Sequence, residues 1–340
     1  MKFFVKRLLS LIVIFSLVGC NASDIKTSEK KDPSSKQTSD DDSKKRNAYP
    51  IEITNNNVKT VYEKAPERVI AMDYNAASTL VALGQGDKII ATREAGLPLD
   101  NVGENYREEI KNMEIPDGYA KSPLPPLEVT LSLKPDFILM DSYYFNAPDI
   151  FGTYKDYQDN GIHILVTEGS LDKKAELKDM YVDINNLGKI FHVEDQSDKL
   201  CKQLEKQFSD IKSRVDSSKT YKVMGFDNGD DKPMVAAGNS LENLLISEAG
   251  AENIFKDIDK QFATVSWEDV VNRNPDYIIL HETPDDKGAQ NLIHILKSNK
   301  DIADVTAIKE DHFIVVPLRY MFSGIYTVKA FDLIVQGLYG

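Results

Sequence analysis

One pattern occurs twice in this 340-residue chain, and few folds accommodate it. The first copy places Glu128 seven residues ahead of Pro135-Asp136, which lead into Phe137-Ile138-Leu139-Met140. The second places Glu268 seven residues ahead of Pro275-Asp276, which lead into Tyr277-Ile278-Ile279-Leu280. Leu127 and Leu131 in one copy match Trp267 and Val271 in the other, at the i,i+4 spacing of a single helix face. Proline cannot continue a helix and pushes the residue before it towards extended backbone. The apolar run that follows reads as a buried strand of a parallel sheet. Each copy therefore predicts a short helix carrying an exposed Glu, a Pro-Asp turn and a core strand. Two copies about 140 residues apart predict two lobes of similar build.

The segments around each copy extend this reading. In residues 49–174, a leading hairpin over 49–61 precedes strands at 68–73, 88–92, 137–140 and 162–166, with a helix over 76–83 closed by Gly84. In residues 216–340, strands are expected at 221–226, 234–237, 277–280 and 313–316. The helix ending at Gly250 echoes the one ending at Gly84, and Ser266 with Asp269 forms a near capping box ahead of Glu268. Alternating strand and helix predicts α/β architecture, two lobes with mostly parallel sheets flanked by helices. Between them, Leu177, Met180, Ile184, Leu187 and Phe191, then Leu200, Leu204, Phe208 and Ile211, repeat at helical spacing, with a pause over 192–195. Residues 175–215 thus predict rigid connecting helices, the single strut between the lobes. In open parallel sheets ligands collect beyond the carboxyl ends of the strands. The loops there begin at Tyr74-Asn75, Arg93-Glu94, Asp141-Ser142-Tyr143-Tyr144 and Thr167-Glu168, and in the second lobe at His281-Glu282 and Pro317-Leu318-Arg319-Tyr320.

The N-terminus reads separately. Lys2, Lys6 and Arg7 precede an apolar run over 8–18, too short to span a bilayer but suited to a secretory signal. It ends Leu17-Val18-Gly19-Cys20, which resembles a bacterial lipobox, so residues 1–19 are read as the signal and Cys20 as the lipidated first residue of the mature chain. Residues 21–48 are Ser, Lys, Asp, Thr and Gln with almost no apolar side chains. They cannot bury enough surface to offset the ordering of their backbone, and read as a solvated tether.

Composition excludes several classes. Net charge is −13, and about −16 once the three basic signal residues are removed, which argues against nucleic-acid binding. The other cysteine, Cys201, has no partner for a disulfide and sits on the apolar side of its helical pattern. There is no Gly-rich phosphate loop, nucleophile elbow or acid pair that would mark an enzyme. The five histidines, at 163, 192, 281, 294 and 312, show no metal-ligand spacing, which leaves direct Zn or Mn capture a minor alternative.

The lipobox, the tether, the paired Glu/Pro-Asp repeats and the intervening helices together resemble the substrate-binding lipoproteins of iron-siderophore and vitamin B12 ABC importers. The strings Pro66-Glu67-Arg68-Val69-Ile70, Leu133-Lys134-Pro135-Asp136 and Val265-Ser266-Trp267-Glu268 stand where that family has such strings, and the likeness covers residues 49–340. It implies a monomeric, membrane-anchored receptor whose Glu128 and Glu268 dock onto arginines of an ABC permease. It also implies a ligand in the cleft between lobes. A ferric siderophore calls for Arg or Lys against its oxygens and aromatics against its rings. Arg93, Tyr143, Tyr144, Arg319, Tyr320 and Phe322 are the candidates, with the chelator rather than the protein ligating iron. Haem or cobalamin is the alternative cargo, with His281 or a cleft Tyr as axial ligand.

Overall fold

A computed structural model describes residues 49–116, 119, 124–283 and 288–340. The signal, Cys20 and the tether lie outside the described residues.

The chain opens with an antiparallel hairpin, β1 (Ile51–Asn55) and β2 (Val58–Tyr62), turned at Asn56-Asn57, both with positive φ. The N-terminal sheet holds β3 (Val69–Ala71), β4 (Ile89–Ala91), β5 (Phe137–Met140) and β6 (His163–Val166) in the order β4-β3-β5-β6, all parallel. The C-terminal sheet holds β7 (Lys222–Asn228), β8 (Met234–Ala236), β9 (Glu252–Asn253), β10 (Phe262–Thr264), β11 (Tyr277–Glu282) and β12 (Phe313–Pro317). β7, β9, β11 and β12 pair in parallel, while at one edge β8 pairs antiparallel with both β7 and β10. The link from β7 to β8 is too short for a crossover and can only fold back. β5 and β11, the strands of the sequence repeat, each lie between two parallel partners and are fully buried over 137–140 and 278–281.

The repeat is built differently in detail from its sequence reading. Lys134 and Asn274, the residues before the prolines, have φ of 51° and 44°. They are left-handed helix terminators rather than extended, and Asn274 still donates its N–H to Val270 O at 2.8 Å. The helix Trp267–Arg273 buries Trp267 and Val270, leaving Val271 40% exposed, so the inward face follows i,i+3. In the helix Leu127–Ser132 the matching inward position is the buried Thr130.

The repeated Asp has a purpose that spacing alone does not reveal. Asp136 accepts the backbone N–H groups of Glu67 and Arg68, each at 2.9 Å, just ahead of the neighbouring β3. Asp276 accepts the N–H of Lys222 at 2.8 Å, the first residue of the neighbouring β7. In each sheet one carboxylate ties the start of the central strand to the start of the strand before it.

Two helices, Lys178–Ile190 and Glu194–Lys212, join the sheets, packing on each other about a turn at His192 with φ 57°. At 1.5 Å per residue they span roughly 20 and 29 Å. Cys201 is buried on the second. They are not the sole strut. The chain end returns to the first half, where Tyr326 Oη accepts from Gly103 N and Tyr320 Oη donates to Asn101 O. A continuous apolar core runs from Ile51 and Leu139 through Leu187 and Phe208 to Phe331. Phe208 and Phe331 stack with centroids 4.1 Å apart. Separate clusters cover the outer faces of the two sheets.

Hydrogen bonds to a charged acceptor contribute about 1.5–3 kcal/mol each. Asp136→Ala and Asp276→Ala are each expected to lower unfolding free energy by that order in urea titrations. A loss no larger than that of the exposed control Asp149→Ala would remove the clamp from the account.

Candidate functional site: the cleft between the sheets

The parallel strands of both sheets deliver polar side chains at their carboxyl ends. Asp73 lies two residues past β3, while Asp141 and Thr167 directly follow β5 and β6. From the other sheet comes Arg319, in the short 3-10 turn Leu318–Met321 that follows β12. Its guanidinium crosses into the first half and is only 6% exposed. Nη1 lies 3.1 Å from Asp141 Oδ2 and 3.2 Å from Asp73 Oδ2, and Nη2 donates to Tyr144 Oη at 3.3 Å. Nη1 also donates to Tyr143 Oη, and Nε to the carbonyl of Ala95. The cation lies 4.3 Å from the centre of the Phe322 ring.

Burial and the nearby Asp73 push the Asp141 carboxyl up, opposed by Arg319 and by hydrogen bonds from Thr167 and Tyr143. Burial penalises the Arg319 cation, but Tyr143, Asp73, Tyr144 and Asp141 together hold it well on the protonated side. Arg93 is buried beside this group, donating to Tyr144 Oη at 3.0 Å.

In front of this cluster lies a cleft of about 700 Å³. Ser142, Tyr143, Asn146, Gly169, Ser170 and Asp172 line it from the first half, and Asp227, Met234, Leu241, Glu242, Phe262, His281, Met321 and Phe322 from the second. Its edge is bridged where Gln261 Nε2 donates to Leu171 O and Ala175 N donates to Asn239 O. On the second-half wall, His281 is 5% exposed, with Nδ1 3.3 Å from Asp227 and Nε2 3.2 Å from Glu242. Burial alone would lower the imidazolium pKa. The carboxylates of Glu242 and Asp227 outweigh it and raise it to about 10. Gly225 makes the arrangement possible, because a Cβ there would lie 2.2 Å from Glu242 Oε1.

The six ligand candidates from the sequence separate here. Tyr143 and Phe322 line the cleft. Arg93, Tyr144 and Arg319 stand behind its wall, committed to one another and to buried carboxylates. Tyr320 faces elsewhere, stacked on Tyr326 beside a separate groove of about 460 Å³. His281 has both ring nitrogens occupied, so its use as an axial ligand is disfavoured. Glu128 and Glu268 are exposed in the first turns of their helices. Among the described residues no group of three or more His, Cys, Asp or Glu is placed to hold a metal ion, and no helix is long and apolar enough to cross a membrane.

Residues 69–320 match the family model described as periplasmic binding protein. The chain belongs to this family. Its members are substrate-binding transport proteins, not enzymes; they bind small molecules outside the cytoplasm and work with an ABC permease. An uncharacterized ABC transporter substrate-binding lipoprotein of Bacillus subtilis, YvrC, is 22% identical over 79% of this chain and 77% of its own length. A vitamin B12-binding protein of Pectobacterium carotovorum is 24% identical over 65% of this chain and 73% of its own. A solved structure titled as an ABC-type Fe3+-hydroxamate transport system from Saccharomonospora viridis superposes with a TM-score of 0.71 at 19% identity, over 86% of this chain and all of that one. This likeness establishes the two-lobed α/β fold.

Sequence reasoning missed Glu242, Asp227 and Phe262 as parts of this binding protein's cleft. Asp227 carried a usable signal, since it directly follows the apolar run Val223-Met224-Gly225-Phe226. Glu242 carried none, being one polar residue in the first turn of a helix.

Removing one partner from a buried ion pair costs about 3–5 kcal/mol. Arg319→Met should destabilise the binding protein by that order in denaturant titrations, whereas exposed Arg214→Met should cost under about 1 kcal/mol. Equal effects would deny the seam its importance. His281 gives a pH signature. Its folded pKa, about 10, lies above its ordinary 6.5, so its stabilisation is whole below pH 6.5 and is lost as pH rises through 10. Unfolding free energy should fall over that window by up to about 1.4 kcal/mol per pH unit. In His281→Gln this slope should flatten; an unchanged slope would show that other groups cause it.

Proposed function

We propose that this protein is the lipid-anchored receptor of an ABC importer, carrying an iron(III)-siderophore complex in the cleft between its lobes. The observation that carries the reading is the cleft itself: about 700 Å³, at the carboxyl ends of two parallel sheets, walled by Tyr143, Phe262 and Phe322. That volume suits a compact metal chelate, and aromatic faces suit its flat organic shell. The solved relative with a hydroxamate-transport title supports the same cargo class. In this reading Tyr143 and Phe322 touch the ligand, while Arg319, Arg93 and Tyr144 hold the wall behind them. The chelator keeps the iron.

Anchoring follows from Cys20 after Leu17-Val18-Gly19, and the tether keeps the folded body near the membrane. YvrC carries the lipoprotein description in its own name. Glu128 and Glu268 occupy equivalent places in the two halves, each exposed and each seven residues before the Pro-Asp turn. A permease mouth presenting arginines would take one from each lobe and so sense both at once.

Calorimetric titration with ferric hydroxamate, catecholate and citrate complexes, and with cobalamin and haem, tests the cargo. Calorimetry is preferred to fluorescence because Trp267, the only Trp, is buried with Nε1 bonded to Asp230 O and does not line the cleft. A ferric chelate should bind most tightly; tighter binding of cobalamin or haem would overturn the iron assignment. Glu128→Lys and Glu268→Lys should leave that affinity unchanged and cut uptake by about tenfold or more, given what rim charges contribute to association. Unchanged uptake in the double variant would end the docking assignment.

A further inference from the structure

We propose that Asp172, Asp227 and Glu242 make the cleft select its cargo by charge, favouring a chelate that bears a protonated amine and refusing a polyanionic one. This deepens the iron-chelate reading and rests on it.

The argument starts from the inventory of the lining. Among the described residues it contains those three carboxylates, one histidine, and neither Lys nor Arg. His281 offsets at most one negative charge, and it is already shared between Asp227 and Glu242. Neither Arg319 nor Arg93 lines the cleft; both stand behind its wall. Arg319 is matched by Asp73 and Asp141, and Arg93 is buried against Tyr144 behind the wall. The cleft therefore presents negative charge to whatever enters.

A second observation is independent of the charge count. Glu242 is only 3% exposed, and its Oε1 has no hydrogen-bond partner within the protein. A buried carboxylate oxygen left unpaired is costly, and native proteins rarely keep one without use. Gly225 gives that oxygen its room, as noted above. The apolar walls strengthen the effect. Phe262, 46% exposed at the edge strand β10, joins Leu241, Met234 and Phe322 in displacing water from a bound ligand. In such surroundings an anion loses hydration and meets like charge, while an ammonium group exchanges water for carboxylate.

The test compares three ferric complexes on the wild-type protein by calorimetry at low and high salt. They are ferrioxamine B, with a pendant ammonium; its N-acetylated form, of the same shape without that charge; and a polyanionic tris-catecholate. The ammonium form should bind about tenfold more tightly than the acetylated one, with the ratio shrinking as salt rises, and the catecholate should give no measurable heat. Asp172→Asn and Glu242→Gln should each reduce the ratio about threefold, chiefly by weakening the ammonium form. Asp172 is exposed, so its variant carries no folding risk. Equal affinities for the first two complexes, or tightest binding of the catecholate, would overturn charge selection while leaving the iron-chelate reading intact. Silence with all three would remove that reading, and this proposal with it.

Discussion

The contact on which this architecture turns is a guanidinium held by two buried carboxylates. Arg319 belongs to the second sheet by sequence and to the first by environment, with Asp73 and Asp141 about 3 Å away. None of the three could stay charged there alone, because each would lose its water without recompense. Together they pin the turn after β12 to the carboxyl ends of β3 and β5. That junction sets the back wall of the cleft and aims Tyr143 and Phe322 into it. A buried ion pair is a weak source of net stability compared with apolar packing, but a strong source of registration. Any other docking of the chain end would leave unpaired charge in the interior.

The halves are alike where the chain must solve the same problem twice. Each needs a short helix to end, a strand to begin under it, and that strand to align with its neighbour. The left-handed residue before Pro ends the helix, the buried Pro starts the strand, and the Asp carboxylate holds the neighbouring backbone. Where the halves have different tasks they diverge. The first sheet remains four parallel strands, while the second gains an antiparallel edge through β8 and β10, bringing Phe262 and Gln261 to the cleft.

The two walls also differ electrically. On the first-half side, the positive charge of Arg319 is kept behind the surface and paired with Asp73 and Asp141, and Arg93 is buried beside it. On the second-half side, Asp227, His281 and Glu242 form a compact group with an excess of negative charge. Arg93 and Arg319, which look from sequence like ligand clamps, stand behind the cleft wall, and an acidic group drawn from three separate elements lines the cavity. Glu128 and Glu268 stand on exposed helices, apart from the charges that line the cleft.

The sequence by itself determined the elements and their pairing. Periodicity and the Pro-Asp punctuation are local, so β5 and β11, the hairpin, the connecting helices and the exposed Glu128 and Glu268 were all legible. So was the set of loops that share the edge the cleft occupies, because strand direction fixes it. Tertiary structure alone decided which side chains face that space. Arg319 reads as a ligand clamp until Asp73 and Asp141, some 246 and 178 residues earlier, are seen around it. Glu242 reads as an ordinary first-turn acid until Gly225 and His281 enclose it. The physical reason is that burial and charge compensation depend on groups distant in the chain, and no local pattern records who will neutralise whom.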